Sequence, residues 1–235
     1  MILIEQKILS ISIIIPVLNE EESIGACLDH LPASSEVEIL VVDGGSTDQT
    51  LGEVRIRGLK PIVSATGRGT QQHAGAQAAS KDILLFLHCD TRLPPNFSTH
   101  IHQVLQRRGI VAGAFRLAIN ASGIGFRCIE AGVQLRSLLL DLPYGDQAFF
   151  MYRKMYFAVG GFPKQPIMED IALLSQLKKQ GKISIASAQV TTSARRWQQH
   201  GLVKTTIINQ IMLLGRVGGI APHRLSSWYY FKNKK

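Results

Sequence analysis

The chain has 235 residues, 46% of them hydrophobic and only 18% charged, with 26 Lys and Arg against 17 Asp and Glu and a formal charge of +9. That composition is too apolar for disorder, carries no fibrous repeat, and belongs to a chain long enough to bury a core without staples. The longest apolar stretches, Ile11 to Leu18 and Ile83 to Leu87, fall far short of the ~20 residues a bilayer-spanning helix needs.

The run from Ile11 to Pro16 is rich in β-branched residues and predicts a buried strand. Asn19 to Leu31 reads as a helix, with Glu20, Glu21 and Glu22 in its first turn, where the helix dipole favours negative charge. Val37 to Val42 predicts a second strand that stops at Asp43. Gly44-Gly45 makes a turn, and Ser46 or Thr47 can cap the helix that follows. Lys60 to Ala65 reads as a third strand, Gly67-Arg68-Gly69 as a loop, and Thr70 to Ser80 as a helix. Ile83 to Leu87 is the strongest strand signal and ends at His88-Cys89-Asp90. Pro94-Pro95 opens a helix to about Arg108, Pro being tolerated in a first turn.

Further along, Val111 to Ile119 reads as a strand, Gly125 to Leu140 as a helix and Gln147 to Tyr152 as a strand. Glu169 to Gln180 is an amphipathic helix stopped by Gly181, and Val203 to Val217 is another helix. Strands alternating with helices predict one α/β domain over residues 1–235, with a mostly parallel central sheet and helices on both faces.

The charge is unevenly placed. After Asp170 come 11 basic residues and no acidic one. Such a segment suits phosphates, whether of a nucleotide, a nucleic acid or a membrane surface. Cys27, Cys89 and Cys128 are odd in number and lack CxxC spacing, so neither a disulfide framework nor a structural zinc site is expected. The N-terminus shows no basic region followed by an apolar core and cleavage site, so the expected compartment is cytoplasmic.

Open parallel sheets bind ligands beyond the carboxyl ends of their strands. Asn19-Glu20, Asp43 and Asp90 all fall there, each ending an apolar run. Any one alone is explained as a turn cap. Three in register, with Arg68 on a glycine loop between them, point to a ligand site. The GxGxxG and GxxxxGK[ST] phosphate signatures are absent.

In chain order, Ile13 to Pro16 with Asn19-Glu20, Val41-Val42-Asp43 with Asp48, Gly67-Arg68-Gly69, Phe86 to Asp90-Thr91, Val159 to Phe162 and Met168-Glu169-Asp170 form an ordered set. Over residues 11 to 200 this set resembles the family 2 nucleotide-sugar glycosyltransferases of the GT-A fold. Within them the chain resembles a small soluble subgroup associated with radical-SAM and selenium-related gene neighbourhoods, some members of which are linked to arsenosugar synthesis.

The resemblance implies transfer of a sugar from a nucleoside diphosphate sugar, UDP-linked in first preference, to an acceptor hydroxyl, with inversion. Residues 11–108 would be the donor half and 109–235 the acceptor half, ending in a basic helix. It places Pro16, Asn19 and Glu20 in the nucleoside pocket, Asp43 on the base, and Gly67 and Arg68 against the nucleotide. Asp90 would hold a divalent cation, Mn²⁺ or Mg²⁺, and Glu169-Asp170 would supply the general base, Asp170 taking the acceptor proton.

The familiar Asp-x-Asp is here His88-Cys89-Asp90, so His88 either joins the cation, suiting Mn²⁺ over Mg²⁺, or bonds the ribose or packs beside the strand. Glu169-Asp170 also fits simple dipole compensation at a helix start. Tyr144-Gly145-Asp146-Gln147 resembles an acceptor loop, though Gly-Asp is also a common turn. Arg195-Arg196-Trp197 resembles the end of QxxRW, but Ser193 replaces its Gln, which argues against processive synthesis. These arginines suit a departing diphosphate, and His200 is a further candidate ligand.

The Val203 to Val217 helix either packs in the core or, with Trp228, Tyr229, Tyr230 and the Lys-rich end, rests on an anionic membrane face. Two other functions compete: a sugar-1-phosphate nucleotidyltransferase, and a non-catalytic phosphate- or membrane-binding protein. A small phosphorylated donor explains the charge better than nucleic acid does.

Overall fold

The computed structural model describes residues 10–140, 143 and 145–232. The N-terminal reading, Tyr144 of the acceptor-like loop and the Lys-rich end beyond residue 232 lie outside the described residues.

The sheet begins with β1 (Ile11–Val17), which lies parallel to both β2 (Val37–Asp43) and β4 (Ile83–Phe86). The short β3 (Ile62–Val63) adds to β2 at the edge. On the far side of β4 comes β7 (Phe149–Tyr152), antiparallel to β4 and to β6 (Ile110–Asn120). Next to β6 lies the parallel β8 (Lys182–Ser193), closed by the two-residue antiparallel β5 (Thr91–Arg92). The eight strands run in the order β3-β2-β1-β4-β7-β6-β8-β5.

Side chains alternate across each strand and feed a core on either face. On β1 and β4, Ile13, Ile15, Ile83 and Leu85 join Ile24, Val54 and Ile101 on one face, brought by α1 (Glu21–Asp29), α2 (Thr50–Ile56) and α4 (Phe97–Leu105). Ile14, Leu84 and Phe86 point the other way, to Ala76, Tyr156 and Leu174 of α3 (Arg68–Ala78), α6 (Arg153–Ala158) and α7 (Glu169–Leu177). Helices on both faces are therefore found as expected. Helix α5 (Ile124–Leu140) packs Ile129 and Val133 against the first core.

Several local expectations shift. The loop predicted at Gly67-Arg68-Gly69 is the start of α3, with Gly67 as N-cap at φ 135. Ser46 and Thr47 do not cap α2, whose N-cap is Gln49; they hold Asn19 instead, Ser46 Oγ accepting its N–H and Thr47 N–H donating to its Oδ1, both at 2.9 Å. The third strand shrinks to two residues, and β8, β5 and α6 were not foreseen.

The C-terminal part is helical: α8 (Arg195–His200), α9 (Leu202–Val217) and α10 (Pro222–Lys232). Ile208, Met212 and Leu225 make a small core there, against Ile167 and Met168 of the segment that leads into α7. Helix α9 carries apolar residues on more than its buried face: Ile208, Met212 and Leu213 are buried, while Val203, Ile207, Ile211 and Leu214 are exposed. The buried face of this helix packs in a core, as one of its two readings expects.

Candidate active site

A cleft of about 300 Å³ opens beyond the carboxyl end of β4. Its wall contains nine residues predicted from sequence: Gly67, Arg68, His88, Asp90, Asp146, Glu169, Asp170, Arg196 and Trp197. Apolar burial of β4 delivers His88 and Asp90 to this rim, and α3 begins at the rim with Gly67 and Arg68. Gly69 has no Cβ because one would sit 3.1 Å from Glu169 Cβ and 3.3 Å from the Pro163 carbonyl. That close approach sets Arg68 Nε 4.0 Å from Glu169 Oε1.

The arrival of Arg196 and Trp197 is a tertiary effect. Thr91 pairs with Thr192, their hydroxyls 3.1 Å apart, and Ser193 N–H donates to the Asp90 carbonyl at 3.1 Å. The end of β8 is thus pinned beside Asp90, and α8 starts there. Arg195 turns away from the cleft: its Nη2 binds Glu20 Oε2 at 2.9 Å, and Nη1 reaches Ser23 Oγ at 3.3 Å. Of the two arginines assigned to a diphosphate, only Arg196 faces the cleft, with its guanidinium 5.1 Å from the Tyr229 ring centroid.

Other predicted residues lie off the cleft wall. Pro16, Asn19, Glu20 and Asp43 lie at the rim of β1 and β2. Asp43 is 1% exposed, and its carboxylate accepts the N–H groups of Gly45 at 2.9 Å and Ser46 at 3.1 Å, closing its own turn. Gln147 is buried rather than presented to a substrate: its Nε2 donates to the Phe115 carbonyl at 2.9 Å, and its Oε1 accepts from Ser137 Oγ at 3.0 Å. Gly145 precedes Asp146 in a 3₁₀ turn, Gly145–Gln147. His200 is exposed at the end of α8 and does not reach the cleft. Cys89, between His88 and Asp90, is buried.

The electrostatics of the cleft are strained. Burial, then the nearby Arg68, holds the His88 imidazole down to about 3, so it is neutral, and its buried Nε2 has no hydrogen-bond partner among the described residues. Burial, then Glu20, raises Asp90. Burial pushes Asp146 up to about 6; Arg136 opposes this, while Asp170 and Asp90 add to it. Asp146 Oδ1 is shielded and without a hydrogen-bond partner among the described residues. Burial and the neighbouring Asp170 raise Glu169 as well.

A partnerless imidazole nitrogen and a partnerless carboxylate oxygen beside mutually repelling carboxylates are groups suited to a hard or borderline cation. Among the described residues no three His, Cys, Asp or Glu side chains by themselves form a closed metal cluster. A cation here would complete its shell with water or phosphate oxygens, as Mg²⁺ and Mn²⁺ sites do.

Sequence reading missed Thr192, Asn209 and Met212 on the cleft wall, and Tyr229 of α10, singled out there only for a membrane contact, also lines it. The first three have no local signal: Thr192 lies in a Ser- and Thr-rich strand, and Asn209 and Met212 sit in a largely apolar helix.

A profile of glycosyl transferase family 2 matches residues 12–161, well over half of the chain. The chain belongs to glycosyl transferase family 2. An uncharacterised glycosyltransferase of Mycobacterium tuberculosis is 37% identical over 82 residues, which are 34% of this chain and 37% of the relative. Among solved structures, a mannosyltransferase of Pyrobaculum calidifontis in complex with GDP-mannose and Mn²⁺ superposes with a TM-score of 0.62 at 19% identity, covering 79% of this chain and 56% of that one. Glucosyl-3-phosphoglycerate synthase of M. tuberculosis with Mn²⁺ and UDP-glucose gives 0.55 at 20% identity, covering 79% and 70%. The chain thus has the GT-A fold of this glycosyltransferase family and spans little more than a third of the length of that curated relative. Among the described residues no helix is long and apolar enough to cross a membrane.

Proposed function

We propose that this chain transfers a sugar from a nucleoside diphosphate sugar to an acceptor hydroxyl, with inversion and with the help of a divalent cation. The observation that carries the reading is the meeting of Asp170 with Asp90, Asp146, Arg68 and Arg196 on one cleft wall. The acceptor oxygen forms the new bond to the anomeric carbon as the bond from that carbon to the diphosphate breaks. Its proton passes to Asp170, and the nucleoside diphosphate leaves with the bonding electrons.

Arg68 and Arg196 stand where fixed positive charge stabilises that leaving group. Asp90, with His88, would hold Mn²⁺ or Mg²⁺ together with water or phosphate oxygens, and the cation when bound would neutralise charge on the diphosphate. Pro16, Asn19, Glu20 and Asp43 are the rim for the nucleoside, and Arg195 steadies Glu20 there. UDP-sugars are the first donors to test, and GDP-sugars the second, since the two superposed structures carry one of each. The basic segment after Asp170 supports a peripheral contact with the anionic inner face of a membrane.

The test is a thermal-shift series with UDP, GDP and dTDP, each with and without Mn²⁺, followed by a nucleotide-sugar screen. Asp170→Asn should fold and bind nucleotide as wild type but lose transfer by roughly 10²–10⁴-fold. No shift with any nucleotide, or undiminished turnover of Asp170→Asn, overturns the reading.

A further inference from the structure

Beside the cleft lies a second cavity of about 280 Å³, between α9 and α10, lined by Ile208, Ile211, Met212 and Trp228. The lining is apolar throughout, and Met212 also lines the cleft. Met is flexible and adapts to irregular apolar ligands, so a shared Met212 makes a workable gate between the two spaces. The mouth is continuous with an apolar surface: Ile211 is 42% exposed, Trp228 47% and Leu214 68%. Leaving such side chains in water is unfavourable, and their contiguity with a cavity marks a binding surface rather than scattered exposure.

The charge around them selects the occupant. Every ionised side chain after Asp170 is basic, including Lys204 and Arg216 on α9 and Arg224 on α10. A second copy of the chain would bring that unopposed charge against itself, whereas an anionic amphiphile is attracted by it. Arg196, Asn209 and Tyr229 stand on the cleft wall with Met212, on the side where a polar head would emerge.

We propose that the α9–α10 cavity holds the apolar chain of an anionic amphiphile whose hydroxyl-bearing head reaches the cleft past Met212, and that this molecule is the acceptor. The acceptor role rests on the glycosyltransferase reading above; the chain site does not.

Alkylglycerol phosphates with octyl, decyl and dodecyl chains test it, below their micelle concentrations, with glycerol phosphate as the chainless control. In calorimetric titrations of the full chain, affinity should rise about fourfold per added methylene, the value for burying that group. Trp228→Ala and Ile211→Gln alter partly exposed positions. They should flatten this rise while the thermal shift with UDP and Mn²⁺ stays at the wild-type value. A flat series in the wild type, or an undiminished rise in both variants, overturns the chain site. A flat series together with a dimer that Ile211→Gln dissociates in sedimentation overturns it in favour of a second copy. A steep series in a protein that binds no nucleotide leaves the chain site standing and overturns the acceptor role together with the glycosyltransferase reading. Transfer to the dodecyl compound but not to glycerol phosphate supports both.

Discussion

Asp146 shows how one side chain records what the cleft is built for. Burial and two like-charged neighbours raise its carboxyl to about 6, so at neutral pH it is ionised against an unfavourable environment. In the unfolded chain it titrates in the ordinary carboxylate range. The folded protein therefore loses stability as pH rises from that range through about 6, and the loss is complete above it. Asp146→Asn should stabilise the ligand-free protein by about 1–2 kcal/mol at pH 7 and by nothing near pH 3.5, read from thermal melts across that range. The same variant should lose transfer activity. A carboxylate that costs stability and supports turnover is one kept for function; an unchanged melting temperature at pH 7 would show that Asp146 is relieved by groups this reading overlooks. Its importance was only half legible in the sequence, since Gly-Asp reads equally as a turn. The neighbours that strain it, Asp90 and Asp170, come from other segments of the chain.

At the scale of elements, α3 is the part that joins donor rim to catalytic cleft. Gln71 is buried under the ends of β1 and β2, its Nε2 donating to the Val17 carbonyl at 2.7 Å and the Val42 carbonyl at 2.9 Å. Gln71→Leu would remove the side-chain bond to both carbonyls, leaving the Val17 oxygen with the Gly44 N–H at 3.0 Å, and should cost about 1–3 kcal/mol in urea unfolding, with an unchanged m-value. One turn later Gly75 lets the helix lie on the sheet: a Cβ there would come within 2.4 Å of Ile14 Cγ2 and 3.0 Å of Val42 Cγ2. Gly75→Ala should destabilise by about 1–3 kcal/mol through overpacking, measured the same way. A neutral result would mean that α3 shifts freely, and with it Arg68. The helix itself was evident from composition, but its start was placed two residues late. Gly67-Arg68-Gly69 carries the local signature of a loop, and only the packing of Gly69 against Glu169 turns it into a helix N-terminus. Strand β8 was missed for a related reason. Its Ser-, Ala- and Thr-rich run has weak strand periodicity, and pairing with β6 and β5 is what makes it a strand.

Across the whole molecule, acidic side chains gather at the cleft, and the uniformly basic remainder after Asp170 supplies Arg196 and the wall around it. A cation and a diphosphate would together relieve both imbalances. In the presence of Mn²⁺, UDP at ~100 times its dissociation constant should therefore add about 2.7 kcal/mol of stability. Removing Mn²⁺ with EDTA should abolish most of that gain in the same thermal-shift assay. An equal shift in EDTA would show that the nucleotide is held without a cation and that the carboxylates serve another purpose.

By itself the sequence determined which strands are buried, that they alternate with helices, and that polar residues end β1, β2 and β4. Those features are local: apolar runs, turn residues and helix starts act over a few positions, and the ordered motifs rest on them. Tertiary structure decided which of the marked side chains share a space. Gln147 follows Asp146 directly, yet it is buried against the Phe115 carbonyl and Ser137 while Asp146 lines the cleft. Arg195 and Arg196 are adjacent, yet one is held by Glu20 and the other lines the cleft. Such choices depend on contacts between segments up to 175 residues apart, and on where buried polar groups find partners, which no single stretch of chain encodes.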